Sequence, residues 1–411
     1  MTISPILSAL LRNKTGAVLV AVQIALSLAI LANALHIVNV RQAVAARPSG
    51  IADESSMFYI SSRYLTRASV EFDKAAQQRE LGALRAVSGV ASVATTSQMP
   101  LANSGSNNSV SLDRKQVKES ALAAVYRSGD SLVSTLQLKL VEGRDFTPGD
   151  VLEVDAEASN ELPKTTIITK ALADKLWPHQ SAIGKTLLYG TGEPAAPTQV
   201  VGVVERLQSP WAQLSEDSEF STILPYRGLG GDTRNTYAVR TEPGQRDRVM
   251  KEAEQALTKS AGVPVIVKVK TTSGDRKERY RADVALSWML VTVSFLLLVI
   301  TASGIVGMAS LWVTQRRKQI GVRRALGARR VDILRYFITE NVMITSLGVG
   351  CGVMLAIGLN QLLVSRLEMA RLPLEYLFAG VAVFYALGII AVYGPAWRAA
   401  TTSPALATRS A

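Results

Sequence analysis

Cysteine and histidine are nearly absent from this chain. With one cysteine, Cys351, in 411 residues, no internal disulfide can form, and any domain in an oxidising compartment must be stable without one. The two histidines, His36 and His179, form no metal pair at helical or hairpin spacing. No G-x-S-x-G nucleophile elbow occurs. A phosphate-cradling loop is also missing: Gly184-Lys185-Thr186 ends like one, but His179 occupies the position of its first glycine. We therefore read the chain as a non-enzyme with no catalytic residue, no metal site and no cofactor of its own. Acidic residues are in the minority, 33 against 45 basic ones, which gives a net charge of +12 and a pI near 9.8. Such a balance invites a nucleic-acid reading. Its placement argues otherwise, because much of the excess lies between residues 316 and 335, directly after an apolar run. There it serves membrane topology and touches anionic lipid.

Long apolar runs are what the chain does have. Residues 285–313 carry no charge and exceed the roughly 20 residues that a helix needs to cross about 30 Å of hydrocarbon. Residues 16–40, 337–364 and 374–393 meet the same length test. Arg316, Arg317, Lys318, Arg323, Arg324, Arg329, Arg330 and Arg335 follow the second run, and short basic loops stay in the cytoplasm. Counting outward from that loop puts both termini inside and residues 41–284 outside, with Arg12 and Lys14 in agreement. A cleaved signal peptide is the competing account of the N-terminus, but its apolar core is only about 7–15 residues long. The expected fold is a membrane protein with four transmembrane α-helices and a large α+β domain inserted between the first and second spans.

Four segments follow: 1–47, the N-terminal cytoplasmic segment, first span and stalk; 48–274, the external domain; 275–394, a second stalk and spans two to four, with a cytoplasmic loop at 314–336; and 395–411, a cytoplasmic tail. Strands are expected at 57–60, 91–95, 165–169, 199–204, 221–224, 236–240 and 265–269, where β-branched and aromatic residues cluster between turn residues. Helices are expected at 70–86, 171–176 and 244–259. Residues 103–109, 153–163 and 190–197 read as loops. The first span is expected to run on as a helix until Pro48, and residues 275–283, charged and free of Gly and Pro, to lead helically into the second. Arg276, Arg279, Tyr280 and Asp283 are the residues chosen for that stalk.

Within the basic loop, residues 315–326 can form a helix closed by Gly327, with Val322, Ala325, Leu326 and Arg329 on one side. Physics alone leaves open whether it lies on lipid or enters a groove of another protein. Arg316, Arg317 and Lys318 are read as topogenic charges only. Gly348 and Gly352 flank Cys351 on one helix face and suit close packing within the bundle. Asn33 and His36 are expected to hydrogen-bond between helices, and Glu340 to pair with Arg335 or reach the interface.

The segment RRKQIGVRRALGARRVDILRYFITE resembles the cytoplasmic loop of FtsX-like permease domains, as in MacB-type ABC transporters. PAWRAATTSPALATR resembles their terminal motif, in a shortened form. GVASVATTSQMPL, LKLVEGRDFTPGD, ITKALADKLWPHQSAIGKTL and VVGVVERL resemble, in order, the periplasmic core domain of the same proteins. The resemblance implies the permease subunit of a MacB-like transporter in the bacterial inner membrane, with its large domain periplasmic. Its coupling helix would be formed by Gly321, Val322, Arg323, Arg324, Ala325, Leu326, Gly327 and Ala328. The implied partners are an ABC ATPase subunit that binds ATP and Mg, a second permease copy or paralogue, and a periplasmic adaptor with an outer-membrane duct. MacB itself carries its ATPase on the same chain, so a separate ATPase is a departure from that pattern. Lipoprotein release and FtsX-type control of cell-wall hydrolases are the alternatives.

Overall fold

The computed structural model describes residues 14–65, 69–192, 195–211, 216–230, 234–367 and 371–401. The expected segment before Lys14 and the tail beyond Thr401 lie outside the described residues. Among the described residues, four helices are long and apolar enough to cross a membrane. They are α1 (Lys14–Ala45), α6 (Thr272–Gln315), α8 (Arg330–Leu367) and α9 (Leu374–Thr401). The chain divides into two compact units, one of Val44–Ala282 and one of the residues before and after it.

In the helical unit, α1 is the inner member. Buried positions make up 61% of its apolar window, against 17–33% for the other three, so those three present more of their surface outward. Ile24 and Leu28 of α1 join Trp312, Phe337 and Phe384 in one apolar core. Close approach to α1 requires glycine on α8: a Cβ at Gly348 would stand 2.8 Å from the Ala21 carbonyl oxygen, and one at Gly352 would stand 3.0 Å from the Ala25 Cα. Cys351 between them is exposed. Asn33 donates to the Ala29 and Ala356 carbonyls at 2.9 and 3.1 Å, and His36 meets the ring of Tyr376 edge-on at 5.3 Å, so both polar side chains reach other helices. The last helix continues through Pro395 to Thr401, burying Ala396, Ala399 and Ala400.

The inserted unit contains a split β-α-β frame. Strand β1 (Met57–Tyr64), helix α2 (Val70–Arg85) and β2 (Val90–Thr95) form one half; β11 (Arg234–Thr241), α5 (Arg246–Ser260) and β12 (Val265–Lys270) form the other. The strands pair antiparallel in the order β12-β1-β11-β2, a ferredoxin-like arrangement. Ser69 caps α2 by accepting from the Phe72 N–H at 3.2 Å. Phe58 and Ile60 of β1 and Tyr237 and Val239 of β11 pack with Leu84 of α2 and Val249 and Leu257 of α5. Glu80 is buried among them, yet it accepts from Tyr64 at 2.9 Å and from Tyr237 at 2.6 Å, so the carboxylate is paired as burial demands. Burial and that carboxylate push the Tyr64 hydroxyl up to about 12.

The chain between β2 and β11 builds a second sheet from β3 (Asn107–Ser111), β4 (Ala121–Ser128), β5 (Leu140–Gly143), β6 (Leu152–Asp155), β7 (Thr165–Thr169), β8 (Thr186–Tyr189), β9 (Ala196–Val204) and β10 (Ser221–Leu229). It also holds two short helices, α3 (Leu132–Thr135) and α4 (Lys170–Leu176). The path β4-β3-β8-β9-β7-β10 returns to β4 through a parallel β10 pairing, which closes six strands into a ring. Strand β4 feeds two cores, Ala123 and Val125 on one face and Ala124 and Tyr126 on the other.

Several expectations need correction. Residues 153–155, read as loop, belong to β6 and pair parallel with β10; Glu153 there is held by Lys74 at 2.7 Å and Arg227 at 2.9 Å. Strand β3 begins inside the expected loop 103–109. The loop helix, α7, is Arg317–Ala325 and does not begin at Gln315, because Arg316 leaves helical geometry between α6 and α7.

Candidate functional site

Three features of the chain make up the candidate site: the basic loop, the start of α8, and the charged ends of α1 and α6. Helix α7 closes as its sequence demands. Gly327 adopts φ +98°, and the Ala328 N–H reaches back to the Arg323 carbonyl at 3.0 Å, so the orphan carbonyls are satisfied. Asp332 then accepts from the Arg329 N–H at 2.9 Å and caps the first turn of α8.

The eight residues assigned to the loop helix divide by environment. Gly321 is buried, as is Ile320 just before the eight, and Ala328 packs against the bundle core. Arg324 donates to the Ala400 carbonyl at 2.7 Å, and the Arg323 guanidinium lies 5.1 Å from the centre of the Tyr336 ring. Val322, Ala325, Leu326 and Gly327 stay exposed. The face of α7 that carries Val322 and Ala325 is therefore open, while Arg323 and Arg324 tie the helix to α8 and α9.

Arg316 is more than a topogenic charge, a correction to its sequence reading. Its guanidinium donates to both oxygens of Glu340, at 2.9 and 2.8 Å, and to the Tyr336 hydroxyl at 3.3 Å. Glu340 is only 1% exposed, and it pairs with Arg316 rather than with Arg335. The reason lies in helical phase. Tyr336 and Glu340 are four apart and share a face of α8, whereas Arg335, five before Glu340, points elsewhere.

Helices α1 and α6 run antiparallel within the helical unit. Gln23 lies against Gly304, and Ser27 hydrogen-bonds Thr301 at 3.0 Å. At the far end of that unit, Arg41 forms an ion pair with Asp283. In the inserted unit, Arg276 donates to Glu54 at 2.6 Å and to the Ala45 and Arg47 carbonyls at 2.9 and 2.8 Å. Tyr280 is buried with Val44 and Leu101, and Arg279 donates to the Asn103 side chain. Burial opposes ionisation of Glu54, but hydrogen bonds from Arg276 and Ser49 outweigh it and hold the carboxyl below its ordinary range. Arg276, Arg279 and Asp283 thus have polar partners, and Tyr280 is held by packing. The chain passes from one unit to the other inside α1 and α6, which are unbroken there.

Glu54 was missed from sequence. It lies 222 residues from Arg276, and neither residue sits in a motif that signals the other.

Residues 22–256 match the family model described as the MacB-like periplasmic core domain, and residues 291–404 match the FtsX-like permease C-terminal model. Among curated proteins, the macrolide export ATP-binding/permease protein MacB 2 of Yersinia pestis bv. Antiqua (strain Antiqua) is 27% identical over 276 residues, covering 64% of this chain and 39% of the relative. MacB of Rhodopseudomonas palustris (strain HaA2) is 28% identical over 299 residues, covering 69% and 42% respectively. The chain thus spans only about two-fifths of the length of these relatives, 39% and 42%. The periplasmic region of MacB from Actinobacillus actinomycetemcomitans aligns with 59% of this chain and 98% of its own, at 15% identity and a TM-score of 0.35.

Proposed function

Because the chain belongs to the family of ABC transporter permeases that join a MacB-like periplasmic core domain to an FtsX-like C-terminal domain, we propose that it is a membrane subunit coupling ATP hydrolysis to export. In this reading the ATPase is a partner subunit that docks on α7 from the cytoplasm. ATP-driven closure of two ATPases moves the α7 helices of two permeases, and α1 and α6 carry the movement to the periplasmic domains. Cargo is displaced in the periplasm, with an adaptor and an outer-membrane duct as further partners, and does not need to pass through the four-helix bundle. Both termini are assigned to the cytoplasm.

The observation that carries the proposal is the open apolar face of α7. Val322 and Leu326 are 51% and 82% exposed at the end of a span, in a loop whose Arg323 and Arg324 are engaged with α8 and α9. A short amphipathic helix presented in this way fits a groove in a partner. Leu326→Asp tests it, since an unpaired charge entering a dry groove costs several kcal/mol. The variant should insert normally and lose the ATPase on co-purification; normal ATPase binding rejects α7 as the docking helix.

A further inference from the structure

The four-stranded sheet buries one face beneath α2 and α5, and its other face carries a cleft of about 260 Å³. Alternation along the strands decides what lies there. Phe58 and Ile60 point to the helices, so Tyr59, Ser61 and Arg63 point away from them. In register beside these on β12 stand Lys270, Lys268 and Ile266, and on β11 Thr236 is opposite Ser61 and Arg234 opposite Arg63. Four cations therefore share one face of three adjacent strands. Like charges directly opposite on neighbouring strands are destabilising, and Arg63 faces Arg234 in that way.

No carboxylate among the residues lining the cleft balances this charge. Asp275 lies 3.7 Å from Lys270 and accepts from the Tyr59 hydroxyl at 2.5 Å, so it is committed to one corner. Among the described residues, Arg63, Arg234 and Lys268 have no acidic partner within salt-bridge distance.

The wall facing the sheet supplies an independent sign. Gln98 is 4% exposed and lines the cleft. Its Oε1 accepts from the Ser106 N–H at 2.6 Å, which orients the amide and leaves Nε2 as a buried donor with no partner among the described residues. The loop holds that orientation at close range, since a Cβ on Gly105 would fall 2.3 Å from the same Oε1. A buried donor without an acceptor is costly. An anionic ligand entering the cleft would relieve the repulsion between the arginines, and it would offer Nε2 an acceptor once the amide moves to expose it.

We propose that this face of the inserted unit binds a ligand whose phosphate is net anionic, a monoester or diphosphate and not the zwitterionic diester of a choline lipid. Arginine forks match phosphate oxygens in pairs, the hydroxyls of Ser61 and Thr236 add neutral donors, and Ile266 and Met99 give the cleft an apolar side for the remainder of the ligand. The phosphate can be a lipid headgroup or a free phosphate ester. The proposal concerns binding and stands apart from the coupling role of α7.

The test uses the full chain in nanodiscs of zwitterionic phosphatidylcholine at low salt. Inorganic pyrophosphate and dihexanoyl phosphatidic acid are titrated by calorimetry, with dihexanoyl phosphatidylcholine as the control. At least one phosphate probe should bind and the control should not. Arg63→Gln with Arg234→Gln should weaken binding at least tenfold, while Arg114→Gln with Lys115→Gln, which removes the same charge elsewhere on the unit, should change it less than twofold. Tighter binding of phosphatidic acid assigns the lipid source, and equal or tighter pyrophosphate assigns a free phosphate. Without ligand, the cleft variant should melt no lower than wild type, because a repulsive pair has been removed. Failure of both probes to bind, equal losses in the two double variants, or a marked fall in the melting temperature of the ligand-free cleft variant would each overturn the proposal.

Discussion

Arg316 and Glu340 form an ion pair of 2.8 Å that joins the break between α6 and α7 to the buried face of α8. Arg316 is 15% exposed on its side chain and Glu340 is 1% exposed, so neither charge is solvated enough to tolerate loss of the other. Removing one partner of a buried pair costs about 3–5 kcal/mol. Arg316→Gln should therefore lower the melting temperature of the chain in detergent by several degrees, whereas Arg317→Gln should leave it unchanged. Equal melting of all three proteins would mean that the pair contributes nothing.

The Glu54 and Arg276 pair gives a pH dependence whose sign follows from the lowered carboxyl of Glu54. A group with a depressed folded pKa adds stability above its unfolded value, near 4.5 for this carboxyl, and loses that contribution as pH falls through the folded value. Glu54→Gln should destabilise the inserted unit at pH 7 by about 1.5–3 kcal/mol, and the gap from wild type should close in acid. Thermal melts at pH 7 and pH 3.5 check this; a gap that widens in acid would refute it.

Close packing of α8 on α1 predicts a further cost. Gly348→Leu must displace the Ala21 carbonyl and Ile24, both 2.8 Å from the new Cβ. Overpacking of that kind costs about 1–3 kcal/mol. Gly350→Leu is the comparison, since nothing lies within 4 Å of its Cβ. Detergent melts should show a loss for the first and none for the second; equal losses would exclude a specific seam.

How far the chain could be read depended on how local each signal was. The four spans announce themselves by length and by scarcity of charge, and the closure of α7 by Gly327 is written in a single residue with positive φ. Strands such as Thr165–Thr169 were legible because β-branched residues cluster there. Strand β4 was not, since ALAAVYRS is buried on both faces and loses the alternation that marks a half-exposed strand. Strand β6 was hidden for another reason: its short acidic sequence pairs only through β10, far along the chain. At the site, the loop helix and stalk could be found from local pattern, but their anchors could not. Glu54 meets Arg276, and Glu340 meets Arg316, only once the chain is folded.

Orientation is tested by labelling in a Cys351→Ala background. New cysteines at Ser106 and Ser159 should react with an impermeant maleimide added to the periplasmic side, and one at Gln319 should not. Reaction at Gln319 from that side would invert the assignment of α7 to the cytoplasm.

Mechanical coupling is tested most directly by inserting two glycines after Tyr280. Arg276, Arg279 and Tyr280 stay anchored to the inserted unit before the insertion, while Asp283 and its Arg41 partner follow it. Glycine costs about 1 kcal/mol per helical position, and two extra residues rotate everything beyond them, so α6 loses both stiffness and register. If α6 transmits the stroke, the complex should assemble with its ATPase and hydrolyse ATP while export stops. Full export by this variant would contradict transmission through α6.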